Sequence, residues 1–161
     1  MLGELSAKFL RAFDEGWNNG NTDAMYELCD IGLVHHRPPF PVIESLDVEK
    51  QDIESTFKAF SDIVFTIQEL VTEGSTAVMR WTWRAKHTGQ EPDLHTPLTD
   101  SEVSMQGCNV FHLANGKIIE EWEFADYLGF STQLGAIQPL EQCVVCFLNF
   151  FSSGDGEEDK E

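Results

Sequence analysis

Positive charge is scarce in this chain. Ten Lys and Arg stand against 28 Asp and Glu, a formal net charge of −18 over 161 residues. Nucleic acid is bound by neutralising phosphates, so this balance speaks against a nucleic-acid partner, and an anionic membrane surface repels such a chain. Long apolar runs are also missing: no stretch of about 18 uninterrupted apolar residues exists, and no membrane span is expected. The start, Met1-Leu2-Gly3-Glu4, has neither the basic opening nor the apolar centre of a signal peptide, so the expected location is cytoplasmic. Cysteine is sparse, with four residues, too few for a disulfide framework in a chain of this size. Cys29 and Cys108 fall in segments expected to be buried. Cys143 and Cys146 form Cys-Val-Val-Cys in apolar surroundings, without the second pair or the strand-to-helix setting that zinc or redox chemistry uses. No His-x-x-x-His spacing or Cys/His cluster is present, so no metal ligands are expected.

Aromatic residues are plentiful but unevenly chosen. Twelve Phe and four Trp accompany two Tyr, a bias that suits an apolar interior or pocket better than a polar binding surface. The size is that of one domain. Leu5, Phe9, Phe13 and Trp17 repeat at four-residue spacing and predict an amphipathic helix over 4–18. Asn18-Asn19-Gly20-Asn21 breaks it, and Thr22 is the expected N-cap of a second helix over 23–29. A short strand is expected over 32–36, stopped by Arg37-Pro38-Pro39-Phe40-Pro41 because each proline removes a donor. Residues 48–60 read as a third helix, with Val48, Ile53, Phe57 and Phe60 as its stripe. Strands follow at 63–71, 76–87, 102–113 and 116–125, the last pair joined by a tight Asn115-Gly116 turn. Helices first and strands in a row afterwards predict an α+β fold with an antiparallel meander.

Strand alternation predicts which side chains share a face. Met79, Trp81, Trp83 and Ala85 fall together, as do Ile63, Phe65 and Ile67, and as do Met105, Gly107, Asn109 and Phe111. These faces are core, or they line a pocket that takes a flat apolar ligand. His35 and His36 are adjacent, so they point to opposite faces and only one can enter a pocket. His87 and His95 flank an expected surface loop.

Asp126 is the principal candidate for chemistry. Counted at period two after the Asn115-Gly116 turn, Ile118, Trp122, Phe124 and Asp126 share one face with Glu120 as the exception, while Glu121 and Glu123 point to solvent. A carboxylate among aromatics has a raised proton affinity, which suits a general acid/base. The plainer alternative is that Asp126 caps the next helix.

The string Gly116-Lys117-Ile118-Ile119-Glu120-Glu121-Trp122, followed by Asp126, Gly129 and Gln133-Leu134-Gly135, resembles the SnoaL-like polyketide cyclases, or ester cyclases. Val34-His35-His36-Arg37-Pro38 and the run Val103 to Phe111 extend the resemblance over roughly residues 5–138. It implies the NTF2-like fold: a cone-shaped barrel, its curved antiparallel sheet packed on three N-terminal helices. It implies a domain over 1–139, which leaves an apolar extension over 140–153 and an acidic tail over 154–161. It implies ring closure of a carbonyl substrate by intramolecular aldol condensation without a cofactor, with Asp126 as acid/base and His112 or His36 as further catalytic candidates. The expected ligand-binding residues are His35, Trp81, Trp83, Met105, Asn109, Trp122 and Phe124. Two-fold or higher self-association is expected, with Leu140 to Phe151 taking part. A related dehydratase or hydrolase, or a non-catalytic ligand-binding or assembly module of the same fold, are the alternatives.

Overall fold

In the computed structural model, which describes residues 3–89 and 99–137, four helices pack against one five-stranded sheet. Helix α1 spans Glu4–Phe13 and continues through a π-helical turn over Asp14–Asn18. The expected stripe explains this change of winding. Four-residue spacing drifts round a helix of 3.6 residues per turn, and the wider π turn takes up the drift. Trp17 thereby stays in line with Phe13, and both rings stack near Phe65 (6.0 and 5.9 Å). Asn18 ends the turn by gripping the strand that carries Phe65: its Nδ2 donates to the Phe65 carbonyl at 2.9 Å, and its Oδ1 accepts from the Phe65 amide at 2.7 Å.

Helix α2 covers only Asp23–Tyr26, shorter than 23–29, because strand β1 already begins at Cys29 and runs to His36. Thr22 holds the N-cap position without a side-chain cap bond. Helix α3, Leu46–Ala59, starts earlier than expected because Ser45 caps it, accepting from the Val48 amide at 3.3 Å. Its inward face also differs from the expected stripe: Val48 is exposed and Glu49 is buried. Strands β2 (Phe60–Glu73), β3 (Thr76–His87), β4 (Glu102–Ala114) and β5 (Lys117–Ala125) follow, then helix α4, Tyr127–Gln133.

The strand order is β1-β5-β4-β3-β2. β2 to β5 form the expected antiparallel meander. β1 pairs with β5 in parallel, so the sheet is mixed, and the curved sheet of the expected cone is open, with β1 and β2 as its edges. The β4–β5 turn carries Asn115 at φ 52 and Gly116 at φ 76, the positive pair that a tight hairpin turn requires. The inner sheet face holds the core: Phe9 meets Phe111 edge-on at 5.1 Å, and Phe60 meets Trp83 at 5.2 Å. His87, the last residue of β3, belongs to this core and is fully buried, with Nδ1 3.0 Å from Thr99 Oγ1. His95, Cys143, Cys146, the apolar extension and the acidic tail lie outside the described residues. Among the described residues, no helix is long and apolar enough to cross a membrane.

Candidate active site

Ile119 decides what the site contains. In the β4–β5 ladder His112 pairs with Glu120 and Leu113 with Ile118, which leaves Ile119 without a partner. Such a bulge moves the alternation on by one residue. Ile118, before it, faces the core. Beyond it Glu121 and Glu123 turn inward, while Trp122 and Phe124 turn outward and are 36% and 56% exposed. The expected assignment of β5 is therefore reversed: Trp122 and Phe124 lie on the outer face, opposite to Trp81 and Trp83.

Three further candidates follow them outward. His36 stacks on Trp122, ring centres 3.9 Å apart, with Nε2 3.2 Å from Glu120. His112 sits on the same outer side of the sheet, in register with Glu120. Asp126 is exposed and caps α4, its Oδ1 accepting from the Gly129 amide at 2.8 Å. Gly129 leaves room for that cap, because a Cβ there would lie 2.3 Å from Asp126 Oδ2. The plainer expectation for Asp126 thus describes its place, and the pocket placement is corrected. Asp126→Ala should lower stability by about 1 kcal/mol, the usual cost of a lost N-cap, read as a small fall in the denaturation midpoint at constant slope.

A cavity of about 190 Å³ opens between α3 and the inner sheet face. His35, Trp81, Trp83, Met105 and Asn109, all expected at the pocket, line it. Trp81 reaches its position because residue 107 is glycine: a Cβ there would lie 2.5 Å from the indole. Apart from His35, the polar wall is the part that sequence parity missed. It consists of His35, Glu49, Asp52, Arg37, Glu121, Glu123 and Tyr127.

Strand register builds this wall. His35 of β1 lies beside Glu121 of β5, and Asn109 of β4 lies beside Glu123. His35 is further fixed by two backbone bonds to Ile43, of 2.8 and 3.0 Å, where the proline-rich loop doubles back. Its Nδ1 lies 3.0 Å from Glu49 Oε2. Its Nε2 lies 4.0 Å from both Glu121 Oε1 and Glu123 Oε2, and it has no hydrogen-bond partner. Asn109 is held by the Trp81 indole N–H and donates to Glu121 and, at 3.3 Å, to Glu123. The Tyr127 hydroxyl donates to Glu123. Arg37 closes the polar end through Asp52, 2.7 Å away, and stacks over Phe40.

The charges respond to this enclosure. Burial alone would lower the His35 pKa, but Glu121, Glu49 and Glu123 outweigh it and hold the ring at about 10. Both ring nitrogens then carry protons at neutral pH, with Nδ1 donating to Glu49 and Nε2–H available to the cavity. Burial pushes the Glu121 carboxyl up to about 7, against the pull of His35. Burial also raises the Tyr127 phenol, with Glu123 adding to the effect, so it remains a donor. The Cys29 thiol, on the same wall, is pushed up to about 12, chiefly by burial, and is not a nucleophile at neutral pH. A cationic donor and a carboxylate of raised proton affinity share one apolar, aromatic-walled cavity. That arrangement can polarise a carbonyl oxygen and exchange a proton beside it.

Comparison with known proteins gives a consistent picture. A search of curated proteins finds no match. Among solved structures, AclR, a candidate hydroxylase from Streptomyces galilaeus, superposes with a TM-score of 0.76 at 18% identity, covering 98% of this chain and 100% of its own. A candidate polyketide cyclase from Acidithiobacillus ferrooxidans gives 0.71 at 25% identity, covering 83% and 96%. A candidate SnoaL-like polyketide cyclase from Jannaschia sp. CCS1 gives 0.72 at 23%, covering 84% and 93%. The fold is the NTF2-like fold of these proteins, and the family model for SnoaL-like polyketide cyclases matches residues 7–134. The chain belongs to the SnoaL-like polyketide cyclase family.

Proposed function

We propose that the protein is an enzyme that moves a proton next to the carbonyl group of a flat, largely apolar substrate, with ring closure by intramolecular aldol condensation as the overall reaction. The observation that carries this reading is the buried, unpartnered His35 Nε2 between two carboxylates on the wall of an aromatic cavity. The roles expected of Asp126, His36 and His112 pass to residues that face the cavity.

His35 Nε2–H donates to the substrate carbonyl oxygen. Glu121 takes a proton from the adjacent carbon, since its raised proton affinity matches neutral pH. The enolate that forms keeps its oxygen against the imidazolium, where a fixed donor in a dry site counts most. The enolate carbon then bonds to a second carbonyl carbon of the same molecule, and the proton held by Glu121 passes to the new alkoxide oxygen. Trp81, Trp83 and Met105 hold the chain folded, which replaces a rare encounter by an aligned one.

The test does not require the natural substrate. Exchange of the proton beside the carbonyl of a bicyclic aryl ketone such as 1-tetralone is followed by NMR in D2O. Acceleration by the wild-type protein is the expected result. A tetralone that binds, seen by tryptophan fluorescence, yet exchanges no faster than in buffer would favour the binding-module alternative.

Self-association belongs to the same proposal. It is supported by the apolar run Leu140 to Phe151 in the sequence and by the exposed Val64, Val71, Trp122 and Phe124 on the outer sheet face. Truncation after Pro139 should reduce the mass in light scattering to that of a monomer with the fold retained. An unchanged mass would remove the extension from the interface, and aggregation would assign it to the core.

A further inference from the structure

The His35 cluster has a second property. His35 Nε2, Glu121 and Glu123 each offer one ligand atom, all within 4.8 Å of one another. The His35 side chain is 7% exposed and its Nε2 is aimed between the two carboxylates without a partner. Tetrahedral metal bonds of about 2.0–2.2 Å place donors about 3.3–3.6 Å apart, so the two carboxylate oxygens, each 4.0 Å from Nε2, have about half an ångström to close. The Glu121 and Glu123 oxygens lie within 4.8 Å of one another, and closing that pair, by about an ångström, falls to the less enclosed Glu123 side chain, 17% exposed.

The surroundings are those of a ligand set. A ligating imidazole is oriented by a carboxylate on its other nitrogen, and Glu49 occupies that place, 3.0 Å from Nδ1. Ligating carboxylates are in turn held by hydrogen bonds, here from Asn109 to both and from Tyr127 to Glu123. Each carboxylate keeps lone pairs beyond those bonds. Charge favours a cation too, because Glu49, Glu121 and Glu123 surround a single histidine. Three of the positions are on paired strands, which fixes them rigidly.

We propose that His35 Nε2, Glu121 and Glu123 bind one divalent transition-metal ion of the Zn2+ type, and that this binding inhibits the enzyme. The inference rests on the acid/base reading only for the inhibitory part. The ion takes the Nε2 lone pair, the ring proton leaves to solvent, and neither the oxyanion donor nor the Glu121 base remains. Imidazole in the set selects Zn2+ over Mg2+ and Ca2+, which prefer oxygen donors.

Chelator-treated protein is titrated with ZnCl2 by calorimetry, with millimolar Mg2+ present to occupy surface carboxylates. One Zn2+ per chain is expected. Glu121→Gln and Glu123→Gln should each weaken it at least ~10-fold, and Glu120→Gln, on the outer face, should not. The same equivalent should stop ketone exchange in the wild type. A titration without a saturable single site, or a single site that survives both substitutions, overturns the proposal. If Glu121→Gln does not fold, Glu123→Gln decides. The calorimetry is independent of catalysis, so a protein that binds Zn2+ but exchanges no ketone refutes the enzyme reading alone.

Discussion

Glu121→Gln is expected to slow exchange of the proton beside a ketone carbonyl by on the order of 10²-fold or more, the usual loss when a positioned acid/base is removed. Gln keeps the shape and an oxygen for the Asn109 amide, so the cavity and ligand affinity should survive. The substitution should even stabilise the fold at neutral pH, because a buried carboxyl held up at about 7 must otherwise ionise against its surroundings. Lost rate with gained stability separates a catalytic group from a structural one. Asp126→Asn supplies the contrast. Asn caps helices as well as Asp, and Asp126 is exposed outside the cavity, so rate and stability should both stay unchanged. A large rate loss in Asp126→Asn with normal rates in Glu121→Gln would return the chemistry to Asp126.

The second large effect is on stability against pH. The folded His35 pKa lies at about 10, above its ordinary 6.5. A raised pKa means that the folded state holds the proton more tightly, so the stabilisation is complete below about pH 6.5 and is lost as pH climbs towards 10. A shift of this size corresponds to at most roughly 5 kcal/mol. At roughly 2–4 °C per kcal/mol for a chain of this length, Tm should fall by about 10 °C between pH 6.5 and 10. Glu121 acts in the same direction over a lower window. Its carboxyl is raised from 4.5 to about 7, so stability also declines as pH rises through that interval. His35→Gln should start with a lower Tm at pH 6 and lack the upper descent. Glu121→Gln should lack the lower one and show a shallower upper one, because Glu121 is the largest charge holding His35 protonated. A wild-type Tm flat from pH 5 to 10 would mean that the cluster is solvated and uncharged by its neighbours.

Sequence patterning carried much of the architecture and misassigned the two faces of β5. The helical stripe Leu5, Phe9, Phe13, Trp17, the Asn115-Gly116 turn and the inward face of β3 and β4 are local patterns, set by spacing and turn residues. The parallel pairing of β1 with β5 is non-local, because nothing within Cys29–His36 specifies a neighbour so distant in the chain. On β5, a single residue altered every side chain beyond it. Two consecutive isoleucines, Ile118 and Ile119, cannot both face the core of a regular strand, and Glu120 already broke the apolar face. Those two irregularities are the mark of a bulge, and they point to Glu121 and Glu123 as the inward residues. The aromatic pair Trp122 and Phe124 masked this, since large apolar side chains suggest burial more strongly than carboxylates do. His35 was legible as one of two opposed histidines. Its partner Glu49 was not, because a glutamate inside a helix ordinarily faces water.

A crystal structure of the protein with a planar phenol such as 2-naphthol, whose hydroxyl imitates an enol, tests the assignment of the site most directly. The expected result is a ring between Trp81, Trp83 and Met105, with the hydroxyl oxygen within hydrogen-bond distance of His35 Nε2 and of a Glu121 carboxylate oxygen. A phenol seated against Asp126 on the outer surface, or one inside the cavity with its hydroxyl turned away from both His35 and Glu121, would contradict it.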